Sequence, residues 1–197
     1  MKTAAVRFFV ILSLCLVAGG AWAANFEADM VIEGPMGAMT GKIYVKGDRQ
    51  RQDMEGAMGR TGVITLGEDR SSLILLHDRK AYMEMEAAAF PMADMGGLDA
   101  DSVPREGAAP EGMKMQNLGS ETVAGYVCEK IRLVDEENGD VSTLIWFSHD
   151  LSMPLKAIHE SPEGTSTVEY RNIVEGNVAD DVFQVPEGYQ KMEMGAF

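Results

Sequence analysis

Between Gly41 and Met85 the chain alternates apolar and polar residues in short runs broken by tight-turn pairs, a pattern that consecutive β-hairpins satisfy and helices do not. Gly41-Lys42-Ile43-Tyr44-Val45-Lys46 is the first run, Gly47-Asp48 the turn, and Arg49 to Met54 the return. A two-residue loop sets Lys46 opposite Arg49, Tyr44 opposite Arg51 and Lys42 opposite Asp53. Gly62 to Leu66, Ser71 to Leu76 and Ala81 to Met85 predict three more strands, with turns at Gly67-Glu68-Asp69 and His77-Asp78-Arg79-Lys80. The strand Ser72 to Leu76 is apolar on both faces and therefore needs a cover on each.

The same alternation extends both ways. Phe26, Ala28, Met30 and Ile32 predict a first strand, ended by Gly34-Pro35. Strands are expected at Met113 to Leu118, from Tyr126 after a turn at Ala124-Gly125, and at Val141 to Ser148 after the hairpin signal Asn138-Gly139. Leu155 to His159 and Thr165 to Val174 follow, then a helical turn at Asp180-Asp181. From Glu86 to Gly112 the composition turns to Ala, Gly, Met and Pro, and a mobile loop over about 86–112 is expected there. About ten strands of local connectivity, without βαβ alternation, predict an antiparallel sheet.

Residues 1–23 read as a secretory leader outside the fold. Lys2 and Arg7 precede the apolar run Phe8 to Ala18, and Ala21-Trp22-Ala23 has the small-x-small form of a cleavage site. Cleavage near Ala23 leaves 174 residues as a single domain, 24–197, in the periplasm, with no transmembrane segment in the mature chain. It removes two basic and no acidic side chains, so 15 basic residues face 31 acidic ones, a net charge of −16. Such a chain repels nucleic acid and anionic lipid surfaces. One cysteine remains, Cys128, between Val127 and Glu129, and it reads as a buried, unreactive thiol.

Several segments together resemble the LolA/LolB-like superfamily of bacterial envelope proteins, and most closely a family of secreted domains of unknown function within it. They are Gly41 to Arg51, Ala81-Tyr82 after Leu73-Ile74-Leu75-Leu76, Val123 to Lys130, Leu144 to Ser148, Met153 to Lys156, and Phe183 to Tyr189. The resemblance implies a mainly β fold: a strongly curved antiparallel sheet, a LolA-like half-barrel, with one or a few short helices over an apolar cavity. It also implies a lipid or lipoprotein acyl chain as partner. The Met-, Gly- and Pro-rich middle segment and the lack of a lipid-anchoring cysteine depart from the dedicated carriers.

The sequence carries no nucleophile elbow, phosphate-cradling loop or H-E-x-x-H spacing, so no enzyme and no cofactor is expected. Methionine is abundant, 15 in all, with Met-x-Met pairs at Met83/Met85, Met113/Met115 and Met192/Met194. Those pairs suit an adaptable lining for an acyl chain, thioether ligation of Cu(I), or plain core filling. The leading expectation is non-enzymatic binding of a hydrophobic or lipidated ligand, with Tyr44, Leu73, Leu75, Met83, Met85, Ile145, Trp146 and Phe147 lining the cavity. The alternatives are an envelope interaction module with a filled core and a periplasmic Cu(I)-binding protein.

Overall fold

The computed structural model describes residues 25–35, 37–57, 59–66, 71–85, 112–137 and 139–192. The expected leader and most of the expected mobile loop lie outside these residues.

Among the described residues the chain forms twelve strands. They are β1 (Phe26–Gly34), β2 (Gly37–Lys46), β3 (Arg49–Gly56), β4 (Gly59–Leu66), β5 (Ser71–Leu76), β6 (Ala81–Met85), β7 (Met113–Val123), β8 (Tyr126–Asp135), β9 (Ser142–Ser148), β10 (Met153–Ser161), β11 (Gly164–Glu175) and β12 (Gln190–Lys191). Two short 3-10 segments, His77–Arg79 and Asp180–Phe183, are the helical pieces among the described residues. In hydrogen-bonding order the strands run β12-β6-β5-β4-β3-β2-β1-β11-β10-β9-β8-β7. The class is the expected one, mainly β and antiparallel.

One pair departs from that expectation. β12 runs parallel to β6, with the Gln190 and Met192 N–H groups donating to the Lys80 and Tyr82 carbonyls at 2.9 and 2.8 Å. The chain crosses a sheet face after β11 and so reaches the β6 edge travelling in the same direction as β6.

Two compact units can be distinguished. One is built by residues 33–35 and 112–169, the other by 25–32, 37–85 and 170–192. In the second, β2 and β3 pair with Lys46 opposite Arg49, Tyr44 opposite Arg51 and Lys42 opposite Asp53, the register that the Gly47-Asp48 loop dictates. Its buried apolar residues include Phe26, Met30, Ile43, Val45, Ile64 and Leu75.

In the first unit β7 is longer than its sequence signals. It continues past Leu118 because a bulge between Asn117 and Ser120 accommodates Gly119, whose φ is +93°. The Asn117 side-chain oxygen accepts the Gly119 N–H at 2.7 Å. The β8–β9 hairpin closes with the Asp135 N–H on the Val141 carbonyl, so residues 136–140 form its connection rather than a two-residue loop. Asn138 itself lies outside the described residues. Ile131, Leu133 and Ile145 form this unit's apolar cluster, with Met115 and Phe147 packed on it.

Candidate functional site

Side chains of paired strands alternate between two faces, and the registers of β2 to β6 assign them. One face carries Tyr44, Arg51, Ile64 and Leu73 in one cross-strand row, and Lys42, Asp53, Gly62 and Leu75 in the next. The C-terminal segment from Val178 to Tyr189 lies on this face as a strap. Val178 and Phe183 are buried with Ile64 and Leu75, and Tyr44, Leu66, Leu73, Tyr82, Val182, Val185 and Tyr189 pack around them.

Polar anchors hold the strap down. Lys46 Nζ donates to the Val178 carbonyl at 2.8 Å, and Arg51 Nη1 to the Val182 carbonyl at 2.8 Å. Asp180 pairs with Arg49 at 2.6 Å and Lys46 at 3.0 Å. The Arg49 hydrogen bond, followed by that of Lys46, holds the Asp180 carboxyl below its ordinary value. The Arg49 guanidinium also sits 5.0 Å from the Phe183 ring centroid.

A half-buried polar chain continues from the strap into the sheet. The Tyr189 hydroxyl lies 2.7 Å from His77 Nδ1, and His77 Nε2 lies 3.1 Å from Asp53 Oδ1. Asp53 Oδ2 accepts from Arg51 Nε at 2.8 Å. The carboxylate accepts, so in the neutral ring Nε2 carries the proton and Nδ1 takes the hydrogen of the Tyr189 hydroxyl. Gly62 makes the room: a Cβ there would lie 2.5 Å from Asp53 Oδ1, 2.9 Å from His77 Nε2 and 3.2 Å from Leu75 Cδ1. A glycine inside a strand pattern is the sequence signal for such an approach.

Beside this chain the face opens into a cleft of about 610 Å³ whose lining includes Asp29, Lys42, Tyr44, Asp53, Glu55, Arg60 and His77. Burial raises the Tyr44 phenol above its ordinary value, with the nearby Lys42 charge opposing. None of these residues except Tyr44 stood among the expected ligand contacts. A second signal was present in the sequence: Lys42, Lys46, Arg49, Arg51 and Arg60 crowd into one short stretch of an acidic chain.

The other face of the same strands carries Ile43, Gln52, Val63, Ile74 and Met83 in one row and Val45, Gln50, Thr65, Ser72 and Met85 in the next. Ile43, Val45, Gln50 and Gln52 are buried, while Val63, Ile74, Met83 and Met85 are half-buried. The expected lining residues are thus divided. Tyr44, Leu73 and Leu75 lie together beneath the strap, and Met83 and Met85 lie on the opposite face.

In the other unit the division is similar. Ile145 and Phe147 share the face that bears Ile131 and Leu133. Trp146 points the opposite way. There Lys130 and Lys156 Nζ stand 4.7 and 5.3 Å from its ring centroid, and its Nε1 donates to Glu121 at 3.0 Å. That bond, with Lys130, holds the Glu121 carboxyl low. Cys128 is fully buried and its thiol meets the Tyr126 carbonyl at 3.6 Å. Burial pushes that thiol up, which disfavours the nucleophilic thiolate.

The profile of one protein family matches residues 26–153. The chain belongs to that family, described as a domain of unknown function, DUF4412. No curated protein sequence matches this DUF4412 chain. Among solved structures it is similar to an uncharacterized conserved protein from Thermus thermophilus, with 7% identity, a TM-score of 0.59, and 86% of this chain and 90% of that one covered. It is also similar to MucB, with 17% identity, a TM-score of 0.58 and 93% of this chain covered. The chain spans 64% of MucB's length. Both likenesses show the fold. A LolA superfamily protein from Nitrosomonas europaea also matches, at 13% identity and a TM-score of 0.37 over 93% of this chain and 98% of that one, too loose a likeness to bear on function. Among the described residues no helix is long and apolar enough to cross a membrane.

Proposed function

We infer that this is an exported, non-enzymatic binding protein of the bacterial envelope that takes a hydrophobic or lipidated ligand. The observation that carries the reading is the inequality of the two faces of β2 to β6. The face bearing Leu73 and Leu75 is filled by the chain's own strap, so its apolar residues serve packing. The opposite face combines buried Ile43 and Val45 with half-buried Val63, Ile74, Met83 and Met85. Two methionines at the border of an apolar surface suit a ligand of variable shape, because the unbranched thioether adapts to irregular contacts. The buried amides of Gln50 and Gln52 within the same rows resemble the few placed polar groups of a ligand site. Tyr44, Leu73 and Leu75 support the strands of this unit from behind, and in the other unit Ile145 and Phe147 share the face of that unit's own apolar cluster, with Trp146 on its reverse. A structure of MucB in complex with MucA(peri) supports a binding role for the fold.

The test is titration of a fluorescent fatty-acid analogue into delipidated protein. Saturable binding at micromolar concentration, about −8 kcal/mol, is expected. An eight-carbon tail supplies roughly −6 kcal/mol at about 0.8 kcal/mol per methylene, before the cost of association. Met83→Glu and Met85→Glu abolish binding while circular dichroism stays that of the folded sheet. Leu75→Glu places a charge beneath the strap and unfolds the domain instead. No saturable binding by the wild-type chain refutes the reading.

A further inference from the structure

The cleft beside the strap is on the opposite face from the proposed hydrophobic site, and its polar groups are not equally engaged. Asp53 has both oxygens occupied, by Arg51 and by His77. Asp29 accepts from the Asn172 amide at 2.8 Å, and Lys42 Nζ stands 3.6 Å from its other oxygen. Among the described residues that loose ion pair is the one polar contact of the Lys42 ammonium. Arg60 reaches Asp78 through Nε and its backbone N–H, and its two terminal guanidinium nitrogens make no hydrogen bond among the described residues. The Tyr44 hydroxyl likewise makes none. The donors that remain for a ligand include Lys42, Arg60 and Tyr44, and their shared preference is for an anion.

Glu55 breaks the simplicity of that arrangement. It sits directly opposite Arg60 on β4 and Thr40 on β2, one row from Asp53. Yet Arg60 turns away to Asp78, and among the described residues Glu55 has no ion-pair or hydrogen-bond partner. Strands lie about 4.8 Å apart and successive same-face residues about 7 Å apart along a strand, so Glu55 stands within one ligand's reach of Lys42 and Arg60. A free phosphate in the cleft would face this uncompensated carboxylate. A ligand that brings its own cation would not.

We propose that the cleft binds a zwitterionic phosphoester, its phosphate on Lys42, Arg60 and Tyr44 and its ammonium on Glu55. The phosphoethanolamine group has this chemistry, either as a free solute or as a lipid headgroup. Calorimetric titration with O-phosphoethanolamine, inorganic phosphate and ethanolamine tests it, using wild type, Lys42→Gln and Glu55→Gln. Lys42 and Glu55 are both on the exposed side of the cleft, so the variants keep the wild-type unfolding midpoint. Phosphoethanolamine is expected to bind saturably, and each substitution to weaken it about tenfold, the loss of one charge-assisted contact. Inorganic phosphate is expected to be weakened by Lys42→Gln and strengthened by Glu55→Gln, and that opposite sign is the signature of the ammonium position.

Flotation with phosphatidylethanolamine vesicles separates the sources. Flotation that both variants lose assigns the headgroup, and phosphoethanolamine binding without flotation assigns the solute. The proposal falls if neither phosphoethanolamine nor the vesicles bind, or if Glu55→Gln strengthens phosphoethanolamine as it does phosphate. Fatty-acid binding on the opposite face is unchanged in both variants, so the two sites stand or fall separately.

Discussion

Phe183→Ala probes whether the strap is part of the core. Phe183 is 4% exposed, closes the Asp180–Phe183 turn, and packs with Ile64, Leu75 and Val178. Truncating a buried phenylalanine costs about 3–5 kcal/mol, the spread reflecting how far the site can collapse. The strap lies on a surface and is free to settle toward Leu75, which favours the low end, about 3 kcal/mol. Loss of the Arg49 guanidinium from the ring face adds about 0.5 kcal/mol, because Arg49 is partly solvated. The main-chain anchors on Val178 and Val182 and the Asp180 pairs survive the substitution, so the strap stays docked. For a chain of this size each kilocalorie moves the midpoint by about 2–4 °C, giving a fall of roughly 7–14 °C by circular dichroism. A shift under about 2 °C would refute the reasoning, since it would mean that the Phe183 ring is not buried against the sheet in solution.

Gly62→Ala is expected to cost about 1–3 kcal/mol in urea unfolding, because the new methyl drives Asp53 and His77 apart and presses on Leu75. Combined with Asp53→Asn the effects should fall short of additive, as both break the same contact. A third expectation concerns pH. Burial lowers the His159 pKa below its ordinary 6.5, so the unfolded chain binds the proton more readily than the folded one. Its stability contribution is complete above pH 6.5 and is lost as pH falls through that value toward the folded pKa. Unfolding midpoints between pH 7.5 and 5 should therefore decline less in His159→Gln than in wild type, and equal slopes would remove His159 from the account.

The hairpins were legible because their determinants are local. Gly47-Asp48 alone sets Lys42 opposite Asp53, and Ala124-Gly125 alone joins β7 to β8. The buried state of Cys128 follows from its own neighbourhood in the same way. The fold class and the resemblance to envelope proteins needed no more than the order of such segments. Period-two alternation states that a strand has two faces and is silent on which one is covered. The registers of β2 to β6 put Tyr44, Leu73 and Leu75 on one face and Met83 and Met85 on the other, and only the strap's return across the sheet decides that the first of these faces is covered. The parallel β12 pair depends on the same return, as does the contact of Tyr189 with His77, 112 residues away in sequence. The cleft belongs to this second kind of information. Lys42, Glu55 and Arg60 each look like ordinary solvated strand positions, and only three-strand packing reveals that both Asp53 oxygens are taken while, among the described residues, Glu55 has no partner and Lys42 and Arg60 keep donors beyond their pairs with Asp29 and Asp78. A register is written in adjacent residues, whereas the state of a side chain's partners is a sum over strands that meet only in the folded sheet.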